Sequence, residues 1–523
     1  MSDAVDDGIM NGDAFMNDDT IAALATPVGV GAIAVIRVSG KGAASVIDRV
    51  FVPKGNRARR GKEAEQAEGL PLPAYTMPSH TMTSHTMPSH TMCYGSIVDA
   101  DGSVVDEVMC TIMYAPRSYT REDLAEVYCH GGPLTAISVL SAIYAAGARP
   151  AEPGEFTKRA FLNGRIDLSQ AEAVMELINA KTDLARRAVL RKLSGGLSHK
   201  IAGYRDRILR WLAHIEVSVD YPEHEEEAIN LAMIREEGLA LLSEIANLAA
   251  TARIGDRIKM GVPTVIVGRP NVGKSSLMNA ILQQDRAIVT DVPGTTRDTL
   301  TEMVTIQNVP ILLTDTAGIR EGIFDKAESI GVERSVRSAR TAELILHVID
   351  RSKPVTDEDL AVGRLIEEEM IEGIKSFTGQ KRIIVLNKSD LPSALPSAVA
   401  VLQTEGVCDA CDTYCGIYCD AYVEVSAKTG EGLSELYRLV EEMFIEGELS
   451  AEDDIITEAR HRFLLDGAIK HLRGALTDID NNVPEDIVSI DLKSAYILLG
   501  EMIGEAVADD VLDRIFSEFC LGK

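Results

Sequence analysis

Gly268-Arg269-Pro270-Asn271-Val272-Gly273-Lys274-Ser275 follows the apolar run Val265-Ile266-Val267 and leads into Ser276-Leu277-Met278-Asn279-Ala280. A β-branched run, a loop bounded by glycines and a helix-compatible stretch are the context that the phosphate-binding pattern G-x-x-x-x-G-K-[ST] requires. Glycines let backbone N–H groups and the helix N-terminus approach phosphate oxygens. Lys274 can neutralise the β and γ phosphates, and the Ser275 hydroxyl suits Mg2+. A chance glycine-rich turn would not come with both flanking elements.

Further motifs follow toward the C-terminus. Asp315-Thr316-Ala317-Gly318 ends the run Ile311-Leu312-Leu313-Thr314, an order that puts a carboxylate near Mg2+ and the Gly318 amide near a γ-phosphate. Asn387-Lys388-Ser389-Asp390 follows the apolar stretch from Ile383 to Leu386. Its Asp390 can accept hydrogen bonds from guanine N1–H and the exocyclic amine, which adenine does not offer in that geometry. Ser426-Ala427-Lys428 follows Val423 to Val425 and completes a base pocket. Together these make GTP, not ATP, the nucleotide. Ile319 stands where Ras-like GTPases carry a water-positioning glutamine, and an aliphatic chain cannot orient water. Glu328 is the candidate to do so through a bridging water; on spacing alone, an ordinary solvated glutamate is an equal alternative.

Short apolar runs alternate with helical stretches from Pro263 to about Phe444, which predicts a parallel-dominated sheet with covering helices. On either side, from about Phe156 to Ile258 and from about Glu448 to Lys523, the apolar spacing is helical, as in Gln170-Ala171-Glu172-Ala173-Val174-Met175-Glu176-Leu177-Ile178. The expected architecture is multi-domain α/β plus α, with a Ras-like GTPase domain inserted in a helical one. The expected division is an acidic, disordered tail at 1–19, an N-terminal α/β domain at 20–155, a helical domain at 156–257 and 448–523, and the GTPase domain at 258–447. Two N-terminal strands are expected, at Ala32 to Val38 and Glu107 to Met113. Between them, in an insert at about 70–92, Thr76-Met77-Pro78-Ser79-His80 is followed by two related pentapeptides ending at His85 and His90. A slipped duplication in a surface loop or a soft-metal tract would each account for it.

The 523 residues exceed a single core and predict about three or four folding units. No run approaches the roughly 18 apolar residues of a membrane span. The first residues carry Asp3, Asp6, Asp7, Asp13, Asp18 and Asp19 without a lysine or arginine, unlike a targeting peptide. A cytoplasmic location with reduced thiols is the expectation. A net charge of -28 argues against non-specific nucleic-acid binding over the whole surface, so RNA would need a local patch or a partner. Cys408, Cys411, Cys415 and Cys419 are spaced C-x2-C-x3-C-x3-C. They could hold zinc or an iron-sulfur cluster, or decorate a loop of variable length.

Thr290-Asp291-Val292-Pro293-Gly294-Thr295-Thr296-Arg297-Asp298 resembles the switch of TrmE-Era-type GTPases. Pro153-Gly154-Glu155-Phe156-Thr157-Lys158-Arg159-Ala160-Phe161-Leu162-Asn163-Gly164-Arg165 resembles the signature of the MnmE (TrmE) family. So do Ala115 to Thr120, His130-Gly131-Gly132 and the terminus Asp513 to Lys523. The resemblance runs from about Asp19 to Lys523.

It implies a K+-dependent GTPase. Asn271, Thr290, Val292 and Thr295 would contact K+, Ser275 and Thr296 would contact Mg2+, and Glu328 would be catalytic. It also implies that an N-terminal domain binds 5-formyltetrahydrofolate or a related one-carbon folate through Arg37, Glu126, Arg165 and Lys523, and forms a homodimer. Cys520 would face that folate site, with packing as its other possible role. The implied reaction adds an aminomethyl or carboxymethylaminomethyl group to C5 of the wobble uridine of certain tRNAs, with an MnmG-like FAD protein in a heterotetramer. Val30, Arg121 and Pro293 depart from what is common in the family, the second from glycine, and none removes a ligand. An Era- or Der-type ribosome-assembly switch would share the nucleotide motifs without the N-terminal half.

Overall fold

The computed structural model describes residues 19–54, 87–220, 231–284, 301–307, 309–314, 338–374, 379–394, 419–444, 454–505 and 507–523. Residues 1–18 of the acidic tail, most of the pentapeptide tract and Cys408, Cys411 and Cys415 lie outside them; Asp19, expected in the disordered tail, is instead held by ion pairs to Arg149 and Arg159. The chain packs as two compact units, Met1–Met175 with Ile503–Lys523, and Glu176–Met502.

The first unit holds β1 (Ile21–Leu24), β2 (Ile33–Ser39), α1 (Ala43–Val50), β3 (Phe51–Pro53), β4 (Thr91–Val98), β5 (Val104–Met113), β6 (Leu124–His130), α2 (Pro133–Ala145), β7 (Arg149–Pro150), α3 (Glu155–Leu162) and the start of α4 (Leu168–Asn179). Alternation explains β2, in which Ala34, Ile36 and Val38 are buried while Arg37 points to the opposite face. The two expected strands are β2 and the end of β5. The sheet order is β3-β4-β5-β6-β2-β1-β7, antiparallel except where β1 meets β7. A tight turn accounts for one antiparallel pairing: between β4 and β5, Asp99 and Ser103 close it, with Gly102 at φ 81°.

Ala43, Val46, Ile47 and Val50 form one face of α1. With Val139 and Ile143 of α2 they cover the sheet face that carries Ile36, Ile112 and Val127. Full burial of each large aliphatic contributes about 1.5–3 kcal/mol. Arg37 faces Glu126 in register on the other side. In the same unit Phe161, Phe516 and Phe519 pack with Leu168 and Leu512, drawing the C-terminal helix Asp509–Ser517 onto α3.

The second unit begins with α5 (Asp183–Leu193), α6 (Gly196–Asp220), α7 (Leu231–Ala250) and α8 (Ala252–Met260). A sheet with its helices follows: β8 (Val262–Val267), α9 (Lys274–Gln284), β9 (Thr301–Ile306), β10 (Val309–Thr314), β11 (Leu344–Asp350), α10 (Asp357–Ile374), β12 (Lys381–Asn387), β13 (Ala421–Val425) and α11 (Leu433–Phe444). Then come α12 (Ala459–Asp480) and α13 (Glu485–Ile503). The sheet order is β13-β12-β11-β8-β10-β9, parallel apart from the β9–β10 hairpin. The alternation predicts strands at Thr264 to Val267, Ile311 to Thr314, Leu344 to Ile349, Ile383 to Leu386 and Val423 to Val425, and all five are present as β8, β10, β11, β12 and β13. β9 was not anticipated, because Thr301-Glu302-Met303-Val304-Thr305-Ile306 is half polar, as an edge strand can be.

β11 is buried along its whole length, since both sheet faces are covered. Leu277, Ile281, Leu436 and Val440 cover one face, and Val362 and Ile366 of α10 cover the other. The GTPase part is inserted into the helical part. A Cβ on Gly255 of α8 would lie 1.8 Å from the Ile456 carbonyl oxygen, so the outgoing and returning chains touch backbone to backbone. Cys419 is buried beside Ile349, Ile384 and Leu386, and burial raises its thiol pKa. No helix among the described residues is long and apolar enough to cross a membrane.

Candidate functional site

The sharp turn from β8 into α9 depends on its two glycines. A Cβ on Gly268 would sit 2.5 Å from the Val348 carbonyl oxygen. One on Gly273, whose φ is +99°, would sit 2.2 Å from Asn387 Nδ2. Asn271 also takes a left-handed conformation, at φ 64°. Lys274 Nζ donates to the carbonyls of Gly268 (3.0 Å) and Arg269 (2.9 Å), so the ammonium curls over its own loop. Ser275 and Ser276 are exposed in the first turn of α9.

Asn387, at the end of β12, fastens this loop to the base-recognition segments. Its Nδ2 donates to the Val272 carbonyl (2.9 Å), while its Oδ1 accepts from the backbone N–H groups of Lys388 (2.8 Å) and Ala427 (3.1 Å). Lys388, at φ 68°, donates to the Asn271 carbonyl (3.1 Å) and to Asp350 Oδ2 (2.7 Å). Burial alone would raise the Asp350 pKa, but Lys388 and Ser352 hold it below the ordinary value. Asp350 was missed in the sequence; an acid ending a strand that is apolar but for His347 was the available signal.

The buried Ser426 donates to Asp390 Oδ1 (2.8 Å) and accepts from the Thr429 N–H (3.2 Å), which fixes the exposed Asp390; Lys428 is exposed. The structure therefore brings together the segments 271–276, 387–390 and 426–428. Residues 290–296, 315–318 and Glu328 lie outside the described residues. Among the described residues, no group of three or more His, Cys, Asp or Glu side chains is placed to hold a metal ion.

A second polar cluster occupies the first unit. Arg37 donates from Nε (3.1 Å) and Nη2 (2.9 Å) to Glu126 Oε1, and from Nη1 to the Gly522 carbonyl (3.1 Å). Its guanidinium lies 5.1 Å from the Tyr119 ring centroid, and that of Arg165 lies 4.6 Å from the same ring. Arg165 also donates to the Tyr119 carbonyl (3.1 Å). Partial burial and the nearby Arg37 charge lower the Lys523 pKa. Tyr128 donates to Glu126 Oε2 (2.7 Å), and this bond to a carboxylate, with burial, pushes the phenol up to about 12.

The four expected residues Arg37, Glu126, Arg165 and Lys523 thus converge. Tyr119 and the Gly522 carbonyl, which sequence reasoning missed, join them; Gly522 lies 485 positions from Arg37, so no local pattern could have shown the contact. Cys520 is exposed, and its carbonyl accepts the Lys523 N–H (3.3 Å). Arg121 sits at φ 58°, which is why glycine is a natural occupant there, and its Nη1 donates to the Asn163 carbonyl (2.9 Å).

The parallel sheet, the phosphate loop and the fastened guanine-recognition segments define a P-loop GTPase. Residues 20–165 match the family "GTP-binding protein TrmE N-terminus", and residues 168–520 match the "MnmE helical domain". The tRNA modification GTPase MnmE of Geobacillus kaustophilus (strain HTA426) is 43% identical over 97% of this chain and 99% of its own length. That of Lactobacillus delbrueckii subsp. bulgaricus (strain ATCC BAA-365 / Lb-18) is 41% identical over 97% and 98%. Among solved structures, a single-residue variant of Aquifex aeolicus Era bound to GDP·AlF4- is 25% identical over 40% of this chain and 66% of that one, with a TM-score of 0.22. The chain belongs to the MnmE family of tRNA modification GTPases.

Proposed function

We propose that this protein couples GTP hydrolysis to the addition of an aminomethyl or carboxymethylaminomethyl group at C5 of the wobble uridine in certain tRNAs, with the added carbon drawn from a folate. The observation that carries this reading is the convergence of Arg37, Arg165 and Lys523 with Glu126 around Tyr119. Guanidinium and ammonium groups suit the carboxylates of a folate glutamate tail. A carboxylate suits the N–H donors of a pterin, and an aromatic ring offers it a stacking face. A bound 5-formyltetrahydrofolate would supply the one-carbon unit, and a flavin partner of the MnmG type would supply redox chemistry. Arg37 holds Glu126 in place and ties the C-terminal turn to β2, so the cluster is preorganised.

In the nucleotide site, Lys274 would exchange its two carbonyl partners for the β and γ phosphates, and Asp390, fixed by Ser426, would select guanine. Ser275 and Thr296 would hold Mg2+. Asn271 with Thr290, Val292 and Thr295 would hold K+, whose charge would stabilise the transferring phosphoryl group where an arginine finger otherwise acts. Glu328 would orient the attacking water. We further read residues 20–155 as a homodimerising, folate-binding domain. The helical domain at 156–257 and 448–523 then flanks the GTPase domain at 258–447, and the protein works in the cytoplasm. Membership of the MnmE family sets aside the Era- or Der-type reading.

Equilibrium dialysis of 5-formyltetrahydrofolate against the full-length protein tests the folate assignment. Arg37→Ala is expected to weaken binding about tenfold or more, the scale of one or two charge-assisted hydrogen bonds. Equal affinity in wild type and variant, or no binding by wild type, contradicts it.

A further inference from the structure

We propose that Arg269 and Asp359 form a positioning pair that holds the phosphate-binding loop in its nucleotide-binding shape. The G-x-x-x-x-G-K-[ST] pattern accepts any residue at 269, so the motif itself gives no reason for an arginine there. In the structure Arg269 Nε donates to Asp359 Oδ1 at 2.8 Å, and the Asp359 side chain is only 1% exposed.

Asp359 cannot follow the loop, because the start of α10 already holds it. Its Oδ2 accepts both the N–H (3.0 Å) and the hydroxyl (2.8 Å) of Thr356, while its own N–H donates back to Thr356 Oγ1 (3.4 Å). This reciprocal arrangement is a capping box, with the acid in the third helical position. The helix behind it is anchored in turn, since Val362 and Ile366 pack on Val265 and Val267 of the strand that leads into the loop.

The main chain of Arg269 performs a second task. Its carbonyl is one of the two that cradle the Lys274 ammonium, at 2.9 Å. One residue therefore joins a fixed anchor, through its side chain, to the position of the phosphate-binding lysine, through its backbone. Asn387 pins the loop at Val272 and Asp359 pins it at Arg269, so the stretch between them is clamped at both ends. A clamp of this kind reduces the ordering that nucleotide binding must otherwise impose. A pair that served stability alone would leave affinity in the folded protein unchanged.

The inference rests on the reading of this loop as the guanine-nucleotide site, which binding of N-methylanthraniloyl-GDP by the wild-type full-length protein tests by itself. With wild-type binding in hand, fluorescence titrations of Arg269→Ala, Asp359→Ala and the double variant test the clamp. Each single change is expected to raise Kd about tenfold, or about 1.4 kcal/mol, with no further rise in the double variant. Arg269→Lys should recover part of the loss, and kcat at saturating GTP should move less than Kd. Asp359→Asn keeps the acceptor for Thr356 while removing the charge, and it should raise Kd about threefold even if the alanine variant fails to fold. An unchanged Kd in folded Arg269→Ala or Asp359→Asn, or additive losses in the double variant, overturns the proposal.

Discussion

The nucleotide site and the Arg37 cluster are built in opposite ways. In the first, cations rest on backbone carbonyls of one contiguous loop, with Lys274 on Gly268 and Arg269 and Lys388 on Asn271. In the second, groups from β2, β6, the segment around Tyr119 and the C-terminal turn meet across hundreds of residues, as the Arg37 guanidinium meets the Gly522 carbonyl. A site made of main chain needs glycines and left-handed residues at fixed spacing, and that requirement is written locally. A site made of dispersed side chains has no pattern of its own: Arg37, Glu126, Arg165 and Lys523 are reached only through the family resemblance, because each contributor alone reads as a surface charge.

Three measurements bear on this contrast. The largest effect belongs to Glu328, which only spacing and resemblance assign to the nucleotide site. Glu328→Ala is expected to lower kcat by roughly 10² with little change in GTP affinity, as for a group that acts in the transition state. An undiminished turnover would return it to the solvated surface and show that proximity to a motif is not enough.

Next in size is the cation effect. Asn271 sits in the loop in a left-handed conformation, and its carbonyl already accepts from Lys388. GTP hydrolysis should run about tenfold faster in K+ than in Na+, on the scale of one electrostatic contact to the transferring phosphate, and Asn271→Ala should erase the difference while retaining nucleotide. Equal wild-type rates in the two salts would leave Asn271 a turn residue alone.

The smallest effect concerns Asp350, which the motifs do not contain although it braces Lys388. Its pKa in the folded protein lies below the ordinary value near 4, so its contribution is present above about pH 4 and is lost as pH falls through the lowered value. Asp350→Asn should cost about 1–2 kcal/mol at neutral pH and flatten that acid limb in chemical denaturation. An unaltered acid limb would mean that the Lys388 contact contributes nothing to folding.

Particular elements explain what could be read in advance. The five parallel strands announced themselves because burial on both faces demands apolar runs, as in Ile383-Ile384-Val385-Leu386 of β12. β9 escaped because an edge hairpin strand tolerates polar residues, here Thr301, Glu302 and Thr305, that break the apolar run. The seven-stranded sheet was glimpsed only at β2 and β5, since β3 and β7 are three and two residues long and carry no period. In the site, Lys274, Asn387 and Asp390 were legible from motifs. Asp350 and Tyr119 were not, because their roles exist only once other segments have folded against them.

If the two sites serve one reaction on tRNA, mass spectrometry of tRNA nucleosides from a strain lacking this gene reveals it. Wobble uridines are expected to lose the C5 aminomethyl-type substituent, and wild type is expected to restore it while neither Lys274→Ala nor Arg37→Ala does. Intact modification in the deletion strain, or full restoration by either variant, would contradict it.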